Sequence, residues 1–146
     1  MKCLLQRVRS CSVSIGGEEV ARIGAGILAL LAVEASDTGA VAERLIERTL
    51  NYRIFPDQAG RLNRSLIEAG GALMLVSQFT LAADTRKGLR PSFAPAAPPE
   101  AAEPIYEHAL RHARGLHAEV QAGRFGADMQ VALVNDGPLT FLLEVA

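Results

Sequence analysis

The sequence predicts an α+β fold, in which two main helices pack on one side of a mostly antiparallel or mixed, barrel-like β-sheet. Three observations predict it. Short apolar or alternating segments typical of strands occur towards both ends of the chain. Two longer segments carry apolar residues at helical spacing. No repeat, low-complexity stretch or linker interrupts the 146 residues, so we expect a single domain over residues 1–146.

Four strands are expected before the first helix. Lys2–Arg9 is predicted to be a strand. Cys11–Ile15 and Glu19–Ile23 flank Gly16-Gly17, a pair that favours a tight hairpin turn. Ile27–Val33 is apolar throughout, which is typical of a strand buried on both faces. These segments predict a strand, a hairpin and a central strand in succession.

Two amphipathic segments predict the main helices. The first spans about Gly39–Asn51 and follows three candidate N-cap residues, Ser36, Asp37 and Thr38. The second spans Glu100–Gly115. Each has one apolar stripe and one charged face. The apolar positions are Val41, Leu45, Ile46 and Leu50 in the first helix, and Ile105, Ala109, Leu110 and Ala113 in the second.

The remaining strands are predicted between the two helices and after the second one. They are Arg53–Phe55, followed by a turn, then Ala72–Phe79, Leu116–Gln121, Met129–Val134 and Thr140–Val145. The last two are expected to be joined through residues 135–138. The stretch from Leu81 to Pro99 is irregular and rich in proline, and loops of this length are usually functional or disordered.

Composition limits the classes of function. The formal net charge is −1, so a surface that grips a long nucleic acid is not expected, and any RNA contact should be short. The longest apolar run has seven residues, too few to span a membrane. With no secretory segment at the start, we expect a cytoplasmic protein in which Cys3 and Cys11 are buried thiols. Scarce aromatic residues and two wholly apolar strands favour a homodimer that covers the exposed sheet.

The common catalytic motifs are missing. There is no nucleophile elbow, phosphate-binding loop, dinucleotide fingerprint or zinc-protease motif. His108 and His112 are four residues apart, the spacing of a metal pair, but no third ligand is evident, and a solvated helix face is the favoured interpretation. A Ser-His-Asp triad stays open on composition. We predict no metal site and no cofactor.

Ser77-Gln78-Phe79-Thr80-Leu81 is the first segment that could carry chemistry. A buried strand ends there in polar residues, and strand ends that feed loops are common sites. Thr80 is a candidate nucleophile, water-positioning group or donor, and Gln78 offers both donors and an acceptor. The alternative is that these residues only terminate the strand.

Asn135-Asp136-Gly137-Pro138-Leu139-Thr140 is the second. Asp-Gly favours a plain hairpin turn. Pro138 fits such a turn poorly because it removes a ladder donor at the start of a strand. A cis Gly137-Pro138 bond, which would aim consecutive carbonyls in an unusual direction, is the other interpretation.

Taken together, these two segments resemble the two signature motifs of the D-aminoacyl-tRNA deacylase (D-tyrosyl-tRNA deacylase) family. The likeness covers nearly the whole chain, with Leu139 standing where valine is common in the family. Further family-like segments are Gln6-Arg7-Val8, Asn51-Tyr52-Arg53-Ile54-Phe55, Leu81-Ala82-Ala83-Asp84-Thr85, Arg90-Pro91-Ser92-Phe93 and residues 123–131.

The resemblance implies a hydrolase that proofreads aminoacyl-tRNA. It would cleave D-aminoacyl-tRNA, and tRNA mischarged with glycine, into free amino acid and tRNA. It implies a homodimer with active sites at the subunit interface, where a cis Gly137-Pro138 reaches into the partner's site. Ser77–Thr80 would line the pocket for the 3′-terminal adenosine and the ester. Catalysis in the family is thought to be assisted by the tRNA 2′-hydroxyl.

Residue roles follow from this resemblance. The backbone amides of Phe79 and Thr80 are candidate oxyanion donors, and Thr80 is expected to position water rather than attack the ester. The carbonyls of Gly137 and Pro138 would accept from the substrate ammonium and clash with an L side chain, so glycine should pass. We expect Arg7 to hold this pair in place, with an ordinary exposed strand arginine as the alternative.

Two further groups of residues each have two possible roles. Phe125 and Met129 are candidates to pack on the adenine, or are simply core residues. Arg86, Lys87 and Arg90 would meet acceptor-stem phosphates, or form a solvated loop. The competing functions are an esterase with Thr80 as covalent nucleophile and a non-catalytic RNA- or nucleotide-binding module, which the scarce aromatic residues disfavour.

Overall fold

The computed structural model describes all 146 residues as an α+β fold, and this confirms the expected fold class. Its sheet is mixed and curls into a nearly closed barrel. Eight strands, three α-helices and one 3-10 helix follow one another along the chain. They are β1 Lys2–Ile15, β2 Glu18–Ile23, β3 Gly26–Ala32, α1 Gly39–Asn51, β4 Phe55–Pro56, β5 Leu62–Arg64, α2 Leu66–Ala69, β6 Ala72–Ser77, the 3-10 helix Phe79–Ala82, α3 Pro99–Leu116, β7 Val120–Ala122 and β8 Gln130–Glu144.

Strand β1 organises the sheet because it pairs with three other strands. On one edge, Lys2–Val8 pairs with β3 and Cys11–Ile15 pairs with β2, both antiparallel. On its other edge β1 pairs antiparallel with β8 along almost its whole length. Beyond β3, strands β6 and β7 continue the sheet in parallel. Strand β2 curls back towards β6 and β7, which nearly closes the barrel.

The two main helices are those that were predicted, and both contribute to the same hydrophobic core. All four predicted apolar positions of α1 are buried, and Thr38 is its N-cap. In α3 the buried set differs slightly, because Ile105 is only half-buried while Tyr106 is almost wholly buried. The largest buried side chain of the core is therefore an aromatic residue that the predicted stripe omitted.

The histidines are partly exposed, and they also join α3 to other elements. His108 lies 2.7 Å from Glu43 and His112 lies 3.2 Å from Glu47, which pairs α3 with α1. His117 Nε2 lies 2.7 Å from the carbonyl oxygen of Gly71. No group of three or more His, Cys, Asp or Glu side chains is placed to hold a metal ion.

The largest correction concerns β8. Met129–Val134 and Thr140–Val145 were expected as two strands joined by a turn, but β8 runs unbroken from Gln130 to Glu144. Thr140 pairs with Gln6 and Asn135 pairs with Val8, so Arg7 alone stands opposite residues 136–139. The predicted hairpin turn is wrong and is replaced by a bulge. The chain does not reverse because both flanks pair with the same edge of β1.

Other boundaries also shift. Residues 2–15 form one strand rather than two, joined to β2 by a turn at Gly16-Gly17 in which both glycines have positive φ, as predicted. The strand predicted as Leu116–Gln121 is shortened to β7, since α3 continues to Leu116. The short helix α2 was not predicted, although Ser65 and Glu68 form a capping box at its start. No helix combines the length and apolar character needed to cross a membrane.

The two cysteines are free and buried, as expected. Burial raises the pKa of the Cys3 thiol to about 12 and that of Cys11 to about 11. Both thiols are therefore protonated at neutral pH, and neither is a reactive nucleophile.

Candidate active site

An open cavity of about 530 Å³ lies beyond the carboxyl ends of the three parallel strands. Parallel strands end at the same edge of a sheet, and that edge is where ligands commonly bind. Residues that follow β3, β6 and β7 therefore meet there, together with the first turns of α3. The lining includes Ser77, Gln78, Phe79, Phe93, Tyr106, Phe125, Asp128 and Met129.

The predicted motif at the end of β6 lies in this cavity. The strand ends at Ser77, two residues earlier than predicted, and the chain then turns into the 3-10 helix. Gln78 N–H donates to the carbonyl oxygen of Leu31 at 2.7 Å, which fixes the exit from the sheet. The Gln78 side-chain amide donates to the hydroxyl of Thr80.

Phe79 and Thr80 occupy the first positions of the 3-10 helix. Amides at the first positions of a helical segment have no partner inside it and are free to bind an acceptor. The Phe79 side chain is 56% exposed and lines the cavity. Thr80 is exposed and adjoins the cavity without lining it. The segment thus presents two amides and one hydroxyl beside the opening.

The cavity lacks a nucleophile–base pair. No histidine, cysteine or lysine lines it, and its titratable side chains are Asp128 and Tyr106. Burial raises the pKa of Tyr106 well above its ordinary value, and its hydroxyl donates to the carbonyl oxygen of Leu75 at 3.0 Å. Because this phenol is held protonated and already donates a hydrogen bond, Tyr106 shapes the cavity and does not act as a base.

Phe125 and Met129 both line the cavity and are both half-buried. The Phe125 ring lies 5.8 Å from the ring of Tyr106 and packs on the core beneath the helices. Met129 packs on a second, smaller cluster of buried residues, which is formed by β1, β2, β3 and β6. Each residue therefore has one side in the core and one side on the cavity. Core packing and contact with a ligand in the cavity are thus compatible for both.

Gly137 and Pro138 lie elsewhere, in the exposed bulge of β8. The peptide bond between them is cis, and Gly137 has a φ of 118°. The side-chain amide of Asn135 donates to the carbonyl oxygens of Arg7 at 2.9 Å and Leu139 at 3.1 Å, which closes the bulge at its two ends. Neither Gly137 nor Pro138 lines the cavity of its own chain.

Arg7 packs under the bulge. Its side chain is only 12% exposed, so it is not an ordinary exposed strand arginine. The guanidinium donates to the carbonyl oxygen of Ile54 at 2.8 Å, and its Nε lies 3.1 Å from a carboxylate oxygen of Asp136. That Nε is buried without a well-aligned hydrogen bond, so the Asp136 contact acts mainly through charge. A Cβ on Gly137 would lie 3.2 Å from this guanidinium.

Three lining residues had no role in the sequence interpretation. Tyr106 has a helical spacing with Ala102, Ala109 and Ala113 that would have revealed it as buried. The Phe93 ring packs at a tilt against the Phe79 ring, with 5.2 Å between their centroids, and no local pattern predicts this contact between residues fourteen apart in the chain. Asp128 lies in the loop between β7 and β8 and gave no signal beyond its charge.

Comparisons with known proteins match this chain over its full length. A family model described as D-Tyr-tRNA(Tyr) deacylase matches residues 4–144. The protein described as D-aminoacyl-tRNA deacylase in Pseudomonas putida (strain W619) is 57% identical over 145 residues, 99% of this chain and 100% of the relative. The protein of the same description in Stutzerimonas stutzeri (strain A1501) is 58% identical over 144 residues, 99% of each chain.

Two solved structures share the fold. A c-Myc DNA Unwinding Element Binding Protein superposes with a TM-score of 0.94 at 39% identity, over 99% of this chain and 98% of that one. A probable eukaryotic D-amino acid tRNA deacylase superposes with a TM-score of 0.86, over 97% of each chain. Its identity is only 16%, so this second likeness shows the fold alone.

Proposed function

Because this chain belongs to the D-Tyr-tRNA(Tyr) deacylase family, we propose that it is a proofreading hydrolase that cleaves the ester bond of D-aminoacyl-tRNA and releases the D-amino acid and the tRNA. A single domain over residues 1–146 carries this activity. It works in the cytoplasm, where tRNA is charged, and requires no cofactor or metal.

One observation carries the proposal. The family motif Ser77–Thr80 opens onto a cavity that has free backbone amides but no histidine, cysteine or lysine. Such a site is poorly equipped to attack an amide. It suits an aminoacyl ester, which needs mainly positioning, a water molecule and stabilisation of the developing oxyanion.

The catalytic roles fall to Gln78, Phe79 and Thr80. The amides of Phe79 and Thr80 bind the carbonyl oxygen of the ester as it becomes negative. Gln78 orients the Thr80 hydroxyl through their hydrogen bond. Thr80 positions water and is not a covalent nucleophile, because no histidine or lysine lies in the cavity to activate it. The 2′-hydroxyl of the terminal ribose supplies the missing proton-transfer group.

The cavity fits the end of the substrate. Its volume of about 530 Å³ lies within the roughly 300–1,000 Å³ range of small-molecule sites. The terminal adenosine packs with its base against Phe125 and Met129, and Ser77 lines the side nearest the ester. Thirteen of the nineteen lining residues are hydrophobic, which suits a nucleobase better than a phosphate.

The unpaired edge of β8 supports a homodimer. Strand β8 pairs with β1 on one side only, so its other edge leaves backbone groups without partners. Val134 and Leu142 are each about half exposed, at 52% and 51%. An edge strand of fifteen residues with apolar side chains favours association with another chain. A second copy is the partner that the family resemblance implies.

The dimer gives the bulge a role in the partner's site. Gly137 and Pro138 protrude from their own chain and lie outside its cavity, so they act across the interface. Their carbonyls accept from the ammonium of a D-aminoacyl group, and an L side chain would meet the same backbone. Arg7 and Asn135 hold the bulge from beneath, which makes the filter rigid. Glycine has no side chain to exclude, so glycyl-tRNA is also a substrate.

A DNA-binding function is the second candidate, raised by the description of one similar structure. The net charge of −1 does not favour it, because sequence-independent DNA binding depends on a basic surface. A covalent esterase built on Thr80 is the third, and full activity on a substrate with a 2′-deoxy terminal ribose would favour it over the proposal.

The test compares matched D-tyrosyl-tRNA and L-tyrosyl-tRNA and follows loss of the ester. We expect rapid loss of the D ester only, together with cleavage of glycyl-tRNA. A 2′-deoxy terminal ribose should slow the D reaction strongly. Loss of both D and L esters would leave a hydrolase without the chiral filter, while loss of neither would contradict the proposed activity.

A further inference from the structure

Residues 84–92, called here the basic arm, carry an excess of positive charge. They contain three cations, Arg86, Lys87 and Arg90, and one anion, Asp84, which gives a net charge of +2 on a chain whose total is −1. Asp84 binds Arg86 through two side-chain hydrogen bonds, of 2.6 and 2.9 Å. Lys87 and Arg90 are exposed and make no ion pair or hydrogen bond in the structure.

The base of the basic arm is fixed. Asp84 and Ser92 form an antiparallel bridge with two backbone hydrogen bonds, of 2.8 and 3.0 Å. The Arg86 guanidinium holds the pKa of the Asp84 carboxyl well below its usual range, so this ion pair persists at neutral pH. Arg86 therefore braces the loop, and two cations are left to meet a ligand.

The basic arm adjoins the mouth of the cavity. Phe93 follows Ser92 directly, lines the cavity and stacks on Phe79. Arg90 is three residues before Phe93, and consecutive Cα atoms are ~3.8 Å apart, so its Cα lies within about 11 Å of that of Phe93. The backbone of Arg90 thus lies near a residue of the cavity wall, and Lys87 belongs to the same loop, whose two ends are joined by the Asp84–Ser92 bridge.

We propose that the basic arm binds backbone phosphates of the RNA strand that leads into the cavity, with Lys87 and Arg90 as the cations. This inference rests on the proposed function, which puts the 3′-terminal nucleotide in the cavity. The preceding nucleotides must then leave through the mouth, where the apolar lining ends and unpaired positive charge begins. Two contacts are consistent with the nearly neutral chain, because a short single strand requires few cations.

Salt dependence gives the size of the effect. Each phosphate neutralised on a single strand contributes a slope of about −0.7 to log affinity against log salt, so two contacts give about −1.4. If the two contacts contribute nothing at 1 M salt, this slope gives them about a tenfold contribution to affinity at 0.2 M salt.

The experiment uses the double variant Lys87→Gln/Arg90→Gln on two substrates, D-tyrosyl-tRNA and 3′-O-D-tyrosyl-adenosine, which has no phosphate. We expect KM for the tRNA to rise about tenfold at 0.2 M salt with kcat unchanged, and its salt slope to fall by about 1.4. Turnover of the adenosine ester should stay at the wild-type level. The charge-preserving Lys87→Arg/Arg90→Lys variant should retain the wild-type KM.

The control variant Arg111→Gln/Arg114→Gln removes the same charge from exposed residues about one and a half to two turns beyond Tyr106 on α3. It should leave KM for the tRNA unchanged, and an equal rise would overturn the local assignment in favour of a diffuse field. An unchanged KM for the tRNA in Lys87→Gln/Arg90→Gln would overturn phosphate binding by the basic arm while leaving the deacylase function intact. Failure of the wild-type protein to cleave either substrate would overturn both.

Discussion

The cavity beyond β6 and the bulge of β8 are built in opposite ways. The cavity is concave and is assembled from segments that follow three parallel strands, backed by buried residues such as Tyr106. The bulge is convex and exposed, and its four residues stand opposite a single residue of β1. A few side chains from its own neighbourhood, mainly Arg7 and Asn135, hold it in place.

The difference separates two kinds of sensitivity. The cavity depends on packing throughout the core, so changes far from it should destroy its shape together with the fold. The bulge depends on local contacts and, in the proposed dimer, on a second chain, so changes there should alter activity with a smaller loss of stability. The largest effects are therefore expected from changes to the packed core, and the smallest from single side chains at the site.

Gly26→Ala should strongly destabilise the fold that supports the cavity. Gly26 pairs with Ala72 where β3 and β6 begin, and an added Cβ would overlap the Ala72 carbonyl oxygen. Forcing apart two buried parallel strands costs about 3 kcal/mol or more. Urea unfolding followed by circular dichroism measures the loss. Gly24→Ala is the matched control, because nothing lies within 4 Å of its Cβ, and equal midpoints for the two variants would contradict the prediction.

Val134→Arg/Leu142→Arg should separate the proposed dimer while leaving each subunit folded. Both side chains are about half exposed on the free edge strand. A charge buried without a partner at an interface costs several kcal/mol, so the dissociation constant should rise about a hundredfold or more. Light scattering after gel filtration measures the mass, and deacylation should fall with it. A wild-type protein that is monomeric at micromolar concentration would refute the interface.

Gly137→Ala should reduce deacylation of D-tyrosyl-tRNA about tenfold. A Cβ there would lie 3.0 Å from the Leu139 side chain and 3.2 Å from the Arg7 guanidinium, at a φ of 118°. The backbone strain costs of the order of 1–3 kcal/mol. Gly17→Ala imposes a similar positive φ in an open hairpin turn and should lose stability without losing activity. Single-turnover rates and melting curves of both variants separate the two effects, and parallel losses of activity would deny the bulge a special role.

Thr80→Ala should have the smallest effect, a loss of about fivefold in rate. It removes one hydrogen-bonding hydroxyl, worth about 1 kcal/mol, and leaves the backbone amides of the motif in place. Single-turnover deacylation of D-tyrosyl-tRNA measures it. A rate indistinguishable from the uncatalysed one would instead make Thr80 the nucleophile, and trapping an acyl-enzyme on the wild-type protein would support that outcome.

Much of this site was predictable because its residues form continuous segments. Ser77–Thr80 became a predicted site through the family resemblance, since a polar strand end alone also fits a plain strand terminus, and the segment lines or adjoins the cavity. Phe125 and Met129 were expected at the site, and both reach it from the segment after β7. Tyr106 and Phe93 were not, since Tyr106 reads as an ordinary core residue and Phe93 reaches the cavity only by packing on Phe79.

The amino-acid sequence by itself determined the α+β class, both main helices, the turn at Gly16-Gly17 and the family to which the chain belongs, because all of these depend on local spacing or on ordered motifs. Only the tertiary structure decided what residues 135–139 become. Their composition favours a turn, but both flanks pair with β1 at the other end of the chain, and Arg7 packs beneath them. A local preference worth about 1 kcal/mol gives way to the many hydrogen bonds and apolar contacts of a continuous strand.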